Sequence, residues 1–129
     1  MDYTKKGIFK EWLNYVKKEK PNLIIGSSMG GYFALALASH TGIPVLAFNP
    51  AVHSRSFEID GLQSGKVKIK GLVVLGEDDD VVDPGKTHSM LKGSWNDLEI
   101  QVEKEMGHRI PLSVFTDMYN KIHEVYIIN

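Results

Sequence analysis

Ser28 stands in Gly26-Ser27-Ser28-Met29-Gly30-Gly31, a G-x-S-x-G pattern. Alone the pattern is weak evidence of chemistry. Its setting strengthens it. The apolar run Leu23-Ile24-Ile25 precedes it and a helical pattern follows, the strand-turn-helix context that a nucleophilic serine on a tight turn requires. Glycines two positions either side of the serine relieve crowding that larger residues would create. The helix that opens there would aim the backbone N–H of Met29 at a developing oxyanion. The alternative is a glycine-rich turn without chemistry.

A serine hydroxyl is a poor nucleophile until a base takes its proton, and the base needs a carboxylate to orient it. Of the five histidines, His108 lies between the last strand pattern and the last helix pattern, at the chain position that brings it to the edge bearing Ser28. His123 falls inside the final helix, His40 ends an earlier one, and His53 and His88 lie in loop or short-helix context. The acid is expected from Gly76-Glu77-Asp78-Asp79-Asp80-Val81-Val82-Asp83-Pro84. Several carboxylates crowd this loop, and spacing does not choose between them. A cation site is the minor alternative, because the run lacks the alternating ligands and central glycine of a calcium loop. A solvated acidic turn, with Asp83 capping a helix that Pro84 opens, is the common reading of such a stretch.

The elements that must position these groups are readable from apolar periodicity. Residues 4–19 predict an amphipathic helix with Ile8, Trp12, Tyr15 and Val16 on one face and Thr4 as N-cap. Strands are expected at 23–25, 44–48, within 67–75, and at 98–102. Helices are expected at about 30–40, 84–91 and 111–126. Gly42 suits the C-terminal cap of the second helix. Residues 53–66 show no period and read as a loop or irregular insertion. Strands alternating with helices imply crossovers and a parallel sheet. Ligands of such sheets sit at the strands' C-terminal edge. Serine, acid loop and His108 each follow an expected strand, in the order Ser…acid…His of α/β hydrolases.

Composition narrows the classes. The chain has 129 residues, 43% hydrophobic and 24% charged, with 15 Lys+Arg against 16 Asp+Glu. One domain spanning 1–129 is expected at this length. The near-neutral balance gives no support for a nucleic-acid partner. The absence of cysteine excludes a thiol nucleophile, disulfides and Cys-ligated zinc. No apolar run approaches the ~20 residues of a membrane span, and no apolar segment follows the first residues as in a secretory signal. The cytoplasm is therefore the expected compartment.

On these residues the chain resembles the α/β hydrolases, and more narrowly the small bacterial YqiA-type esterases. The likeness is closest from Leu23 to Glu58, through the Gly26–Tyr32 elbow and Phe48-Asn49-Pro50-Ala51-Val52. Gly76–Asp83 is similar to the superfamily's G-x-x-D-x-V-V acid loop, which selects Asp79 over Asp78 and Asp80. Gly107-His108 is similar to its glycine-histidine pair. The resemblance implies a truncated, minimal three-layer α/β sandwich with a mostly parallel sheet of about four strands. It also implies hydrolysis of a small acyl ester or thioester through an acyl-serine, without a cofactor or metal. Ser28 would be nucleophile, His108 base, Asp79 its orienting acid, and Met29 N–H one oxyanion donor. Family members begin with a strand whose His-Gly-type loop donates the second oxyanion N–H, and no such segment precedes the first helix here. Leu23-Ile24-Ile25 is then expected at a sheet edge, paired in a homodimer or covered by the first helix. A catalytically weak binding module on the same fold is the second reading. For substrate contacts, Tyr32 and Phe33 are candidates for an acyl site and Arg55 and Arg109 for an anionic group. Burial in the core and plain solvation are the commoner fates of such residues.

Overall fold

The computed structural model describes residues 7–52, 69–91 and 97–127. The elements run α1 (Ile8–Glu19), β1 (Ile24–Ser27), α2 (Met29–Thr41), β2 (Val45–Phe48), β3 (Lys70–Gly76), α3 (Pro84–Leu91), β4 (Asp97–Glu103) and α4 (Leu112–Tyr126). All eight expected elements are present within a few residues of their expected bounds. Thr4 and the stretch 53–66 lie outside the described residues. The residue that caps α1 is Gly7, at φ 81°.

The sheet has the order β1-β2-β3-β4, and every pair is parallel. Unbroken apolar runs explain this. A strand reading Val-Leu-Ala-Phe has no polar face to leave in water, so it must be covered on both sides. β2 is buried at all four positions. Successive side chains point to opposite faces, and two cores result. Val45, Ala47, Val73 and Leu75 face a core with α2 and α3, which contribute Tyr32, Leu35 and Leu91. Leu46, Phe48, Leu72 and Val74 face the other, where α4 contributes Met118 and Ile122. The three layers are helices, sheet and helix.

α2 reaches the sheet closely because its first turns are small. A Cβ on Gly31 would lie 3.1 Å from Pro50. The helix is buried from Gly31 to Ser39 and ends at Gly42, whose φ of 76° closes it in the left-handed region. Tyr32 and Phe33 belong to this core, at 1% and 3% exposure, and Phe33 also borders the groove between α1 and α2. Asp83 caps α3: its Oδ1 accepts the N–H of Lys86. Among the described residues no helix is long and apolar enough to cross a membrane.

Candidate active site

Parallel strands all end at one edge, and three connections leaving that edge converge. The first is the β1–α2 turn. Ser28 sits there at φ 57°, ψ −122°, a conformation that costs a non-glycine residue about 1–3 kcal/mol. The surroundings hold it. Its N–H donates to the Phe48 carbonyl, and its carbonyl accepts the N–H groups of Tyr32 and Ala51. Gly26 makes the turn possible, since a Cβ there would meet the Gly30 carbonyl oxygen at 2.1 Å. Met29 is the first residue of α2. Its N–H is one of the four at a helix start without an intrahelical acceptor.

The second connection follows β3. Asp79 turns inward with a fully buried side chain, while Asp78 and Asp80 on either side stay exposed. One carboxylate oxygen, Oδ1, accepts the N–H groups of Val81 and Val82 at 2.8 and 2.9 Å. The other, Oδ2, lies 2.9 Å from Nδ1 of His108. A buried carboxylate needs such partners. The third connection follows β4 and carries His108. Its Nε2 lies 3.1 Å from Ser28 Oγ. The imidazole is 27% exposed, so one side of the site opens to solvent. The geometry suits transfer of the serine proton to Nε2 while the carboxylate holds Nδ1–H.

Asn49 ties these connections together, and the motif reading missed its role. It follows β2 at φ 45°, a region that asparagine tolerates better than most residues. Its Oδ1 accepts the buried Gly76 N–H at 2.8 Å. Its Nδ2 donates to the carbonyls of Gly107 and His108 at 3.2 and 3.1 Å. One side chain thus links the end of β3 to the loop carrying the imidazole. Gly76 allows that loop to close on the sheet, since a Cβ there would lie 2.4 Å from the Met106 carbonyl oxygen. The sequence offered one signal: an asparagine before proline at a strand end, which reads equally as an ordinary turn.

The remaining candidates fall elsewhere. His40 ends α2 against Phe9, with its ring Nε2 buried and unpartnered. His123 is on α4 beside Tyr119, and His88 is half-buried on α3. Arg109 is exposed. His53 and Arg55 lie outside the described residues.

The fold is that of the α/β hydrolases. It matches an α/β serine hydrolase homologue from Coxiella burnetii (TM-score 0.62, 18% identity, 98% of this chain and 61% of the other). It also matches SOBER1 from Arabidopsis thaliana (TM-score 0.66, 19% identity, 90% and 61%). An S-formylglutathione hydrolase from Agrobacterium tumefaciens matches at TM-score 0.62 and 17% identity, over 94% and 56%. The chain therefore spans about three-fifths of the length of these solved structures. Residues 4–69, just over half of the chain, match the uncharacterised protein family UPF0227, and the chain belongs to that family. No curated protein matches the chain.

Proposed function

We propose that this chain is a serine hydrolase, a carboxylesterase or thioesterase acting on a small acyl substrate in the cytoplasm. The observation that carries the reading is the hydrogen-bonded run from Ser28 Oγ through the His108 ring to Asp79, at 3.1 and 2.9 Å. In the first step Ser28 Oγ attacks the acyl carbonyl carbon and its proton passes to His108 Nε2. The carbonyl oxygen becomes an oxyanion that accepts the Met29 N–H. The tetrahedral centre collapses, the bond to the leaving alcohol or thiol breaks, and His108 returns its proton to that group. Water then attacks the acyl-serine with His108 again as base, releasing the acid and restoring Ser28. Asp79 keeps the imidazole in the tautomer with Nδ1 protonated and stabilises its charged form.

The hydrolase fold supports this reading, as do the backbone constraints that hold Ser28 in a conformation otherwise unfavourable for serine. A non-catalytic binding module on the same fold is the second reading. The observation favouring it is that, among the described residues, β1 stands at the end of the sheet with β2 alone beside it.

A fluorophosphonate probe separates the two. Stoichiometric labelling of Ser28, read by intact mass and peptide mapping, is expected. It should vanish in Ser28→Ala and fall in His108→Ala by a factor on the order of 10³ or more. Folded protein that takes no label at Ser28 would end the catalytic reading and leave the binding module.

A further inference from the structure

The three groups of the site fall into two halves. Asp79 and His108 belong to one. The loops that carry them follow β3 and β4 and are joined through the backbone. Glu77 N–H donates to the Glu103 carbonyl and Asp78 N–H to the Met106 carbonyl, each at 2.9 Å. Ser28 belongs to the other half, the turn from β1 into α2. Its Oγ lies 3.1 Å from His108 Nε2, a contact that weakens steeply as it lengthens. The two halves must therefore be held at a fixed spacing.

The segment Asn49-Pro50-Ala51 leaves β2, between the strands of the two halves, and bonds to both. Asn49 reaches the acid–base half. Its N–H donates to the Val74 carbonyl, and its side-chain amide holds Gly76, Gly107 and His108. Ala51 reaches the serine half and donates its N–H to the Ser28 carbonyl at 3.0 Å. Pro50 stands between them. It is buried, and its ring fixes its own φ. It also narrows the conformations open to Asn49 before it, which stands at φ 45°. Pro50 rests on the first turn of α2. A Cβ placed on Gly31 would lie 3.1 Å from both the Cα and the Cβ of Pro50, closer than an ordinary carbon–carbon contact.

We propose that Pro50 is a positioning residue that sets the distance between Ser28 Oγ and His108 Nε2. Seated on Gly31, it holds the serine turn at a fixed separation from the side chain that braces the imidazole loop. A flexible residue at this position would leave Asn49 and Ala51 each bonded to its own half, with no rigid unit between them. Gly31 matters for the same reason, because the absence of a side chain lets the proline sit directly on the helix. The consequence for turnover rests on the serine-hydrolase reading, whereas the spacing itself does not.

Two variants test this. Gly31→Ala inserts a methyl group that displaces Pro50 by a few tenths of an ångström, while alanine favours the helix. Pro50→Ala frees the segment instead. The readouts are the rate of fluorophosphonate labelling at Ser28 and the nitrogen NMR resonances of the His108 ring. Nδ1 reports the contact with Asp79 and Nε2 the contact with Ser28, and Ser28→Ala supplies the Nε2 position without that contact. In both variants Nε2 should move toward its Ser28→Ala position while Nδ1 stays at the wild-type value. Labelling should slow by roughly tenfold or more. Ile122→Ala, at a buried position in the other core, controls for lost stability. It should lower the urea midpoint and leave both nitrogens in place. An unmoved Nε2 in folded Gly31→Ala would overturn the proposal. So would Nε2 and Nδ1 moving together, or an equal Nε2 shift in Ile122→Ala. A Pro50→Ala chain that does not fold leaves the decision to Gly31→Ala. Wild-type protein that takes no label would end the catalytic reading, and the ring nitrogens would still decide the role of Pro50.

Discussion

Asn49 shows how a single side chain sets the geometry of a site that it does not line. Its amide satisfies the buried Gly76 N–H and holds the carbonyls of Gly107 and His108. The Asn49→Ala variant leaves the Gly76 N–H without a partner, at a cost of about 1–3 kcal/mol. It also releases the loop that places the imidazole. We expect a lower denaturation midpoint together with slower fluorophosphonate labelling of Ser28. The labelling defect should persist well below the unfolding transition, where the protein is fully folded. An Asn49→Ala protein that labels at the wild-type rate would show that the β4–α4 loop holds its position unaided. Asp79 differs from its neighbours in burial rather than in chemistry. Three consecutive aspartates have the same side chain, and one of them turns inward.

At the level of elements, the β1–α2 turn is the most constrained piece of the chain. It brings the backbone of Gly26 against that of Gly30, and a Cβ at Gly26 would sit 2.1 Å from the Gly30 carbonyl oxygen. Neither partner is a flexible side chain, so relief must come from a backbone shift. Gly26→Ala is expected to destabilise the fold by about 1–3 kcal/mol or more, read as a lower urea midpoint at unchanged slope. It should also move Ser28 away from His108. Wild-type stability in this variant would mean that the turn is looser than these distances describe. The helices follow a similar local logic. α1 carries its apolar residues on one side at helical spacing, whereas α2 is apolar nearly all round and is buried accordingly.

For the whole molecule, the parallel sheet divides the core in two and brings the three connections that carry Ser28, Asp79 and His108 together at its C-terminal edge. The central strands carry the load. Leu75 is fully buried in β3, whereas Leu112 at the start of α4 is 80% exposed. Leu75→Ala should cost about 2–5 kcal/mol. Leu112→Ala should fall within about 0.5 kcal/mol of wild type. Urea unfolding of the two variants checks the contrast, and equal losses would show that the layering is wrong. The place of β1 at the end of the described sheet belongs to this scale too, because it depends on which strands stand beside it rather than on any property of Ile25 alone.

The division between sequence and tertiary structure follows the range of the interactions. The sequence by itself determined the elements, their alternation and the elbow. Apolar runs, helical spacing and the glycines around Ser28 act over a few residues. It also placed His108 after a strand, which in a parallel sheet means the right edge. It left the acid open among neighbouring carboxylates until the resemblance to a known loop selected Asp79, and it marked Asn49 only as an asparagine before proline at a strand end, which reads equally as an ordinary turn. Both depend on partners far along the chain: His108 is 29 residues from Asp79, and Gly107 and His108 are 58 and 59 from Asn49. Only the tertiary structure decided which aspartate is buried, which side chain braces the imidazole loop, and that α1 packs on α2. The physical reason is that burial and backbone pairing depend on neighbours that the fold, and not the local sequence, brings together.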